Sequence, residues 1–534
     1  LQPAGHVEVK SSAAIVQAPR TEPSGLELAD VAFTLQTGRR AFKQRRAVVV
    51  DSLAAAPAAL RDLKKGPARA AFGTPPRLVF LFPGQGSQYP GMGRALYERH
   101  PVFRDAMELC FSAVAPVTPD LKAVMFGNTD DALKATRYTQ PALFTLEYAL
   151  ARLLESWGLR AWASIGHSVG EFVGAALSGV MRPEDAARLV AERGRLMNAL
   201  PGGAMLSVRL PAAEVERRLG AAMAIASENG PSLCVVAGPT DKVAALQREY
   251  EAAGVVARPL HTSHAFHSPM MDDAVGPFTE RVKAVTLSAP RTPFVSTLTG
   301  EWITPAQATD PGYWGRHLRA TVKYAQGVAT LWKEKNVLLL EVGPRATLAT
   351  LARQQITDKA HQLCASCLSD SPDAEETSLL SALGALWCTG VEPDWNAVHA
   401  PARRRRVPLP TYPFERQRHW IEPARPTEVM TVPTSRSATL STQLRQVFEE
   451  TSGIEIGPGD GAVSFLELGL DSLFLTQVAL AVGRKFNVKV TFRQLIEELP
   501  TLDALTQFID EKLPPEVEPL APVAAAAPAP VAAA

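Results

Sequence analysis

The sequence is poor in several things, and each shortage excludes a class of function. Five cysteines in 534 residues are too few for a disulfide framework, and an odd number leaves at least one thiol unpaired, so a reducing cytoplasm is the expected location. No uninterrupted apolar run reaches the roughly 18 to 20 residues that cross a bilayer. Residues Leu1 to Ser12 also lack the charged and then apolar order of an export signal. Charge of one sign is missing: 55 Lys+Arg stand against 54 Asp+Glu, a net of +1. That balance removes any whole-chain case for nucleic acid or for a polybasic membrane contact. Neither a G-x-G-x-x-G dinucleotide fingerprint nor the Gly-Lys-Ser/Thr ending of a phosphate loop is present. The first residue is Leu, as expected of a piece of something longer.

At about 100 to 200 residues per domain, the length predicts three or four folded units. Arg77 to Phe82 reads as a buried strand that stops at Pro83-Gly84-Gln85-Gly86, where a core domain begins. Upstream, Leu26 to Leu35 has helical spacing and Arg46 to Val50 reads as a strand, giving a small αβ unit over residues 1–75. Beyond Arg77, strand-like runs (Cys234 to Ala237, Phe294 to Thr297, Leu338 to Val342) alternate with amphipathic segments such as Pro183 to Leu200, the rhythm of an α/β fold. The expected core spans 76–365, a surface linker 366–424 and a flexible linker 425–438. A small helical domain follows over 439–512 and an Ala/Pro-rich tether over 513–534. Residues 439–512 hold 11 acidic and 6 basic side chains, whereas 1–438 hold 49 basic and 41 acidic ones. A basic body and an acidic satellite thus lie behind the near-zero total, an arrangement that favours weak electrostatic docking between tethered partners.

The strongest chemical signal is Gly166-His167-Ser168-Val169-Gly170, a G-x-S-x-G turn between an apolar segment and a helix-like run from Glu171 to Leu177. Glycines on both sides let the chain bend sharply and present the serine hydroxyl at a helix N-terminus, whose amides stabilise an oxyanion. A second glycine loop, Gly84-Gln85-Gly86-Ser87-Gln88, follows another buried strand and is placed to supply the other half of an oxyanion hole. A serine nucleophile needs a base, and His261, His264 and His267 fall within seven residues. Spacing alone leaves the choice among them open. Cys364-Ala-Ser-Cys367 lacks the further ligands that zinc needs, and Arg403 to Arg406 reads as a solvated or carboxylate-paired run in a proline-rich strap.

Phe-Pro-Gly-Gln-Gly-Ser-Gln (82 to 88), Thr-Gln-Pro-Ala-Leu (139 to 143), Gly-His-Ser-Val-Gly-Glu (166 to 171), Arg-Gly-Arg-Leu-Met (193 to 197) and His-Ala-Phe-His-Ser-Pro (264 to 269) resemble, in order and spacing, the acyltransferase domain of modular type I polyketide synthases. Residues 26 to 50 resemble the linker from a ketosynthase to that domain, the run from Leu409 resembles the strap after it, and Leu468-Gly-Leu-Asp-Ser-Leu resembles the acyl carrier protein motif.

The resemblance implies a multi-domain chain. Its parts are a small αβ linker domain, an α/β acyltransferase with a hydrolase-like core and a small ferredoxin-like subdomain, and an all-α four-helix carrier. It implies Ser168 as nucleophile and His267 as base, the amides of Gln85 and Val169 as oxyanion hole, and the backbone carbonyl at His317 as the group orienting the imidazole. Arg193 would pair with the free carboxylate of an extender unit, a match of planar guanidinium to carboxylate. Gln140, Phe266 and His317 would also line the substrate site. Phe266 beside the base fills the space of an α-methyl group, which points to malonyl-CoA as donor. Ser472 would carry 4′-phosphopantetheine, attached by a phosphopantetheinyl transferase. Implied partners are an upstream ketosynthase and other synthase modules, with no nucleic acid and no membrane. Two other classes compete. A serine hydrolase of the α/β type would need an Asp or Glu between serine and histidine and no Arg193, and an inert scaffold would need none of these motifs.

Overall fold

The computed structural model describes residues 26–65, 69–74, 76–127, 130–400, 402–411, 413 and 435–514. The expected flexible linker as far as 434, residues 414–416 of the strap and the Ala/Pro segment from 515 lie outside the described residues. The chain divides into two compact units, Leu1–Thr411 and Tyr412–Ala534.

The first unit opens with the helix Leu28–Gly38 and an antiparallel ribbon of β1 (Gln44–Arg45) and β2 (Arg69–Ala70). The strand predicted over Arg46 to Val50 does not form. Pairing ends at Arg45, and Ala47 lies instead against the helix Glu375–Thr389, so close that a Cβ on Gly384 would come within 2.7 Å of it. The further strands, in chain order, are β3 (Arg77–Phe82), β4 (Ala163–Gly166), β5 (Ala204–Val208), β6 (Ala224–Gly230), β7 (Leu233–Gly238), β8 (Ala257–Pro259), β9 (Phe294–Val295), β10 (Val337–Glu341) and β11 (Leu363–Ser366).

Five of them make one parallel sheet in the order β11-β10-β3-β4-β9. Alternation along β3 explains its unbroken apolar run: Leu78, Phe80 and Phe82 enter one core and Val79 and Leu81 the other. A strand covered on both faces favours a near-continuous apolar run. Strands β5 to β8 form a separate antiparallel sheet in the order β6-β7-β5-β8, with the helices Ala212–Glu216 and Thr240–Ala252 in its crossings. This is the expected ferredoxin-like subdomain, with its own core of Leu206, Val208, Val236, Leu246 and Tyr250. It is inserted between the Ser168 turn and the His267 segment.

The expected boundary at 365 falls inside β11, which pairs with β10 from Leu338↔Leu363 to Glu341↔Ser366. The helix Glu375–Thr389 continues the same body, since Leu379, Leu383 and Leu386 join the core of Phe80 and Phe82. The strap runs along the first helix: the Arg405 N–H donates to Asp30 Oδ1 at 3.0 Å and the Val407 N–H to Thr34 Oγ1 at 2.9 Å. The basic run is therefore a partnered surface segment.

The second unit contains the helices Arg436–Ser452, Ser472–Phe486, Phe492–Glu497 and Leu502–Lys512. Ser435, Asp471, Thr491 and Thr501 cap them by accepting hydrogen bonds from first-turn amides. Leu444, Phe448, Leu475, Val478, Val482, Leu505 and Ile509 fill the space between them.

Candidate active site

Adjacency of β3 and β4 brings the two glycine loops together. Phe82 pairs with Gly166, so Gly84–Gln88 and Gly166–Gly170 leave the sheet side by side. The backbones approach so closely that a Cβ would lie 2.8 Å from the His167 carbonyl oxygen if placed on Gly84, and 2.2 Å from the Phe82 oxygen if placed on Gly170. Glycine is a steric requirement at both. Between them Ser168 adopts φ +51°, in the left-handed region, and the helix Gly170–Ser178 starts at once. Such a conformation costs on the order of 1 to 3 kcal/mol and persists because the surrounding packing imposes it. The Val169 N–H stands at the head of that helix, where amides have no upstream carbonyl to bond.

His267 also has positive φ, +56°, and its Nε2 lies 2.7 Å from Ser168 Oγ. Its Nδ1 faces the Ala320 carbonyl oxygen at 2.8 Å, which fixes the Nδ1–H tautomer and leaves Nε2 as the acceptor for the serine proton. Burial, and after it the nearby charge of Arg193, holds this imidazole well below the usual histidine range. It is therefore a neutral base near pH 7. His264 is spent on structure, bonded to Ser263 Oγ at 2.7 Å and to the Leu200 carbonyl oxygen at 3.0 Å, and it stacks on Phe266.

Arg193 comes from the middle of the helix Pro183–Asn198 and is 1% exposed. One guanidinium nitrogen donates to Gln140 Oε1 at 2.5 Å and another to Ser168 Oγ at 3.2 Å, while Nε has no partner. Among the described residues no carboxylate pairs with it, and burial lowers its pKa to about 9. Ser168, Val169, Arg193 and His267 open into a cleft of about 610 Å³ whose walls include Gln85, Gln140, Met197, Met205, Val235 and Phe266.

In the second unit, Ser472 is the first residue of its helix and is exposed. The preceding Asp471 does the capping, its Oδ1 accepting from the Leu473 and Phe474 amides at 2.9 and 3.1 Å. The Ser472 hydroxyl has no hydrogen-bond partner among the described residues, and it meets solvent at a helix N-terminus that favours a phosphodiester. These residues fit a covalently attached phosphopantetheine.

Comparison with known families matches residues 79–393, more than half of the chain, to the acyl transferase domain. The chain belongs to that family. Behind the acyltransferase, residues 442–509 match the phosphopantetheine attachment site family, and residues 16–60 ahead of it match the CurL-like polyketide synthase C-terminal family. The chain is 35% identical to a phenolphthiocerol/phthiocerol polyketide synthase of Mycobacterium tuberculosis (strain CDC 1551 / Oshkosh) over 540 aligned residues. That alignment takes in 94% of this chain and 36% of the relative, so the chain spans about a third of that protein. Among solved structures it is similar to the acyltransferase domain from the second module of the salinomycin polyketide synthase, with TM-score 0.64 and 39% identity over 73% of this chain and 93% of that one. The acyltransferase domain of SpnD, solved in complex with 2-(pent-4-yn-1-yl)malonyl, gives TM-score 0.64 and 37% identity over 70% and 90%. The acyltransferase and carrier thus form a segment of type I polyketide synthase kind, and the carrier is of the class that bears 4′-phosphopantetheine covalently.

The acyltransferase departs from expectation at His317. Its carbonyl does not orient His267, and the residue is not on the cleft wall. His317 lies in the last turn of the helix Pro311–Arg319, whereas Ala320 has left the helix with an extended backbone (φ −77°, ψ 159°) that frees its carbonyl to turn inward. The His317 ring sits in the core, with Nε2 3.3 Å from Glu171 Oε2. Burial pushes Glu171 up, but His317 and the hydrogen bonds from Thr297 and Tyr313 outweigh it and hold the carboxyl below its usual range. Thr297 bonds both Glu171 and the Gly166 carbonyl, so this buried network braces the Ser168 turn from behind. A main-chain carbonyl leaves no mark in a sequence; for Glu171 the signal was its place directly after the G-x-S-x-G turn. Asn229, which holds the His167 ring at 3.0 Å, had none. Cys364 and Cys367 are buried, and no cluster of three or more metal-ligating side chains occurs among the described residues.

Proposed function

We propose that this segment loads a malonyl extender unit from malonyl-CoA onto Ser168 and from there onto the phosphopantetheine held by Ser472. The observation that carries the reading is Arg193: a buried guanidinium with no carboxylate partner among the described residues, 3.2 Å from Ser168 Oγ. Burying a cation without a counter-ion costs several kcal/mol, which a substrate carboxylate offsets with charge-assisted hydrogen bonds. A monocarboxylic acyl group forgoes that gain.

In acylation, neutral His267 Nε2 takes the Ser168 proton as Oγ attacks the thioester carbonyl. The Gln85 and Val169 amides receive the oxyanion, the C–S bond breaks, and the imidazolium returns its proton to the leaving CoA thiolate. Ala320 holds the ring for both transfers. Bound phosphopantetheine supplies a thiol as the acyl acceptor. For deacylation the chain offers the same neutral His267, the same two amides and the Ser168 oxygen as leaving group. A backbone carbonyl behind the histidine, in place of an Asp or Glu, argues against a hydrolase triad.

Phe266 supports malonyl over methylmalonyl. Buried against His264 and adjacent in sequence to the base, it narrows the wall where an α-substituent would lie. SpnD, with its C2-substituted malonyl ligand, indicates that the fold admits larger units, so the choice rests on residues of this cleft. One methyl is worth about 1 to 3 kcal/mol. Competition between malonyl-CoA and methylmalonyl-CoA tests it: malonyl should win, and Phe266→Ser should narrow the ratio by about 10-fold. Preference for methylmalonyl sinks the assignment. Radiolabelled malonyl-CoA given to the holo chain should leave label on Ser472, whereas prompt free malonate would mean hydrolysis. An upstream ketosynthase, further modules, a phosphopantetheinyl transferase and a cytoplasmic setting complete the proposal.

A further inference from the structure

We infer that Glu375 is a positioning residue for acyl transfer, clamping the loop that carries the Gln85 amide. The inference rests on the reading that this amide holds the oxyanion. Glu375 opens the helix Glu375–Thr389, beyond the expected end of the acyltransferase core, and its side chain is fully buried. A single oxygen, Oε1, accepts from the Tyr89 hydroxyl at 2.6 Å and from the Gly93 N–H at 2.8 Å, so one atom ties both ends of the turn Tyr89–Gly93. Oε2 has no hydrogen-bond partner among the described residues, and Arg99 pairs with the neighbouring Glu376 instead.

An apolar side chain would pack there at lower cost than a carboxylate without a cation, since burial without pairing is unfavourable. What the carboxylate adds is geometry. Upstream the loop is held by Ser87, whose hydroxyl donates to the Gly84 carbonyl at 2.9 Å and whose carbonyl accepts from Arg345 Nε at 3.1 Å. The Gly91 N–H donates to the Met125 carbonyl at 2.8 Å. The Gln85 side chain donates to Thr136 Oγ1 at 3.1 Å and the Gly86 N–H to Gln88 Oε1 at 2.8 Å, and Glu375 adds two anchors at the end where Tyr89 and Pro90 form part of the cleft wall. Oxyanion donors work only when aimed in advance, and a displacement of about 1 Å costs on the order of 100-fold in rate. Residues 286 positions apart in sequence thereby cooperate in one loop.

The test is Ser168 acylation by malonyl-CoA in the full chain, with kcat and KM separated. The double variant Tyr89→Phe/Glu375→Leu replaces the hydroxyl and the carboxylate by apolar groups of similar shape and removes the clamp, leaving the Gly93 N–H as the one clamp donor without its acceptor. It should lower kcat by about 10- to 100-fold, leave KM within about 3-fold and lower the unfolding temperature by only a few degrees, the cost of one unpaired amide. Glu375→Gln retains an acceptor oxygen and should stay within about 3-fold of the parent in kcat. An unchanged kcat in the double variant, or equal damage in Glu375→Gln, overturns the clamp. Should the double variant not fold, Tyr89→Phe alone decides: a drop of about 3- to 10-fold in kcat supports the clamp, and none overturns it. Absence of Ser168 acylation in the parent chain would instead count against the proposed function itself.

Discussion

Ser168 and Ser472 both stand at the head of a helix, yet their surroundings are opposite. Ser168 has a left-handed backbone, a histidine at 2.7 Å and a guanidinium at 3.2 Å, in a cleft of about 610 Å³. Ser472 is exposed, has ordinary helical neighbours and makes no side-chain hydrogen bond among the described residues. A helix N-terminus is common to both, so it does not by itself make a nucleophile. In the proposed function the reactive serine is the one with a strained backbone and a half-buried hydroxyl paired with a neutral imidazole, whereas the other is laid open for modification.

The sharpest way to break this contrast is to delete each hydroxyl. Ser168→Ala should abolish labelling of the chain by malonyl-CoA, a loss of about 10⁴-fold or more. Ser472→Ala should leave Ser168 labelling intact and remove only label on the carrier. Equal loss in both would mean that the serines are not divided as described.

Next in size is Arg193. Arg193→Ala should cut kcat/KM for malonyl-CoA by about 100-fold, the scale of a charge-assisted pair, with little loss for acetyl-CoA. A uniform loss for both esters would make Arg193 a structural residue only. The pH profile offers a subtler measurement. His267 is depressed by burial and by Arg193, so its proton binds only below the usual imidazole value and base function persists into mild acid. The acid limb of kcat/KM should therefore lie below about pH 6.5 and move upward in Arg193→Ala. A limb above 6.5 in the parent contradicts the described environment.

The smallest expected effect is on the carrier. Asp471→Ala removes the cap and should cost about 1 kcal/mol of helix stability, against less than about 0.5 kcal/mol for Ser472→Ala. Hydrogen exchange at the Leu473 and Phe474 amides reads the difference, and an equal loss of protection in both variants would show that Ser472 shares the capping.

What was legible in the sequence follows physical lines. Arg77 to Phe82 was readable to the residue because a strand covered on both faces favours a near-continuous apolar run and ends where glycines begin. Ser168, Arg193 and Ser472 stood out because the roles proposed for them belong to side chains within recognisable local motifs. Arg46 to Val50 misled, since β-branched residues suit any extended segment and only the absence of a partner strand separates it from a sheet. Ala320 was invisible because a carbonyl is common to every residue, and Glu375 because its bonds run to Tyr89 and Gly93, far away in the chain.

The capping by Asp471 has a thermodynamic consequence for the carrier. Because the aspartate satisfies the first-turn amides, the Ser472 oxygen can become a phosphodiester without withdrawing a hydrogen bond from the fold. Whatever the helix N-terminus gains from the phosphodiester then adds to the cap instead of replacing it, and the unmodified carrier keeps its first turn closed before any group is attached.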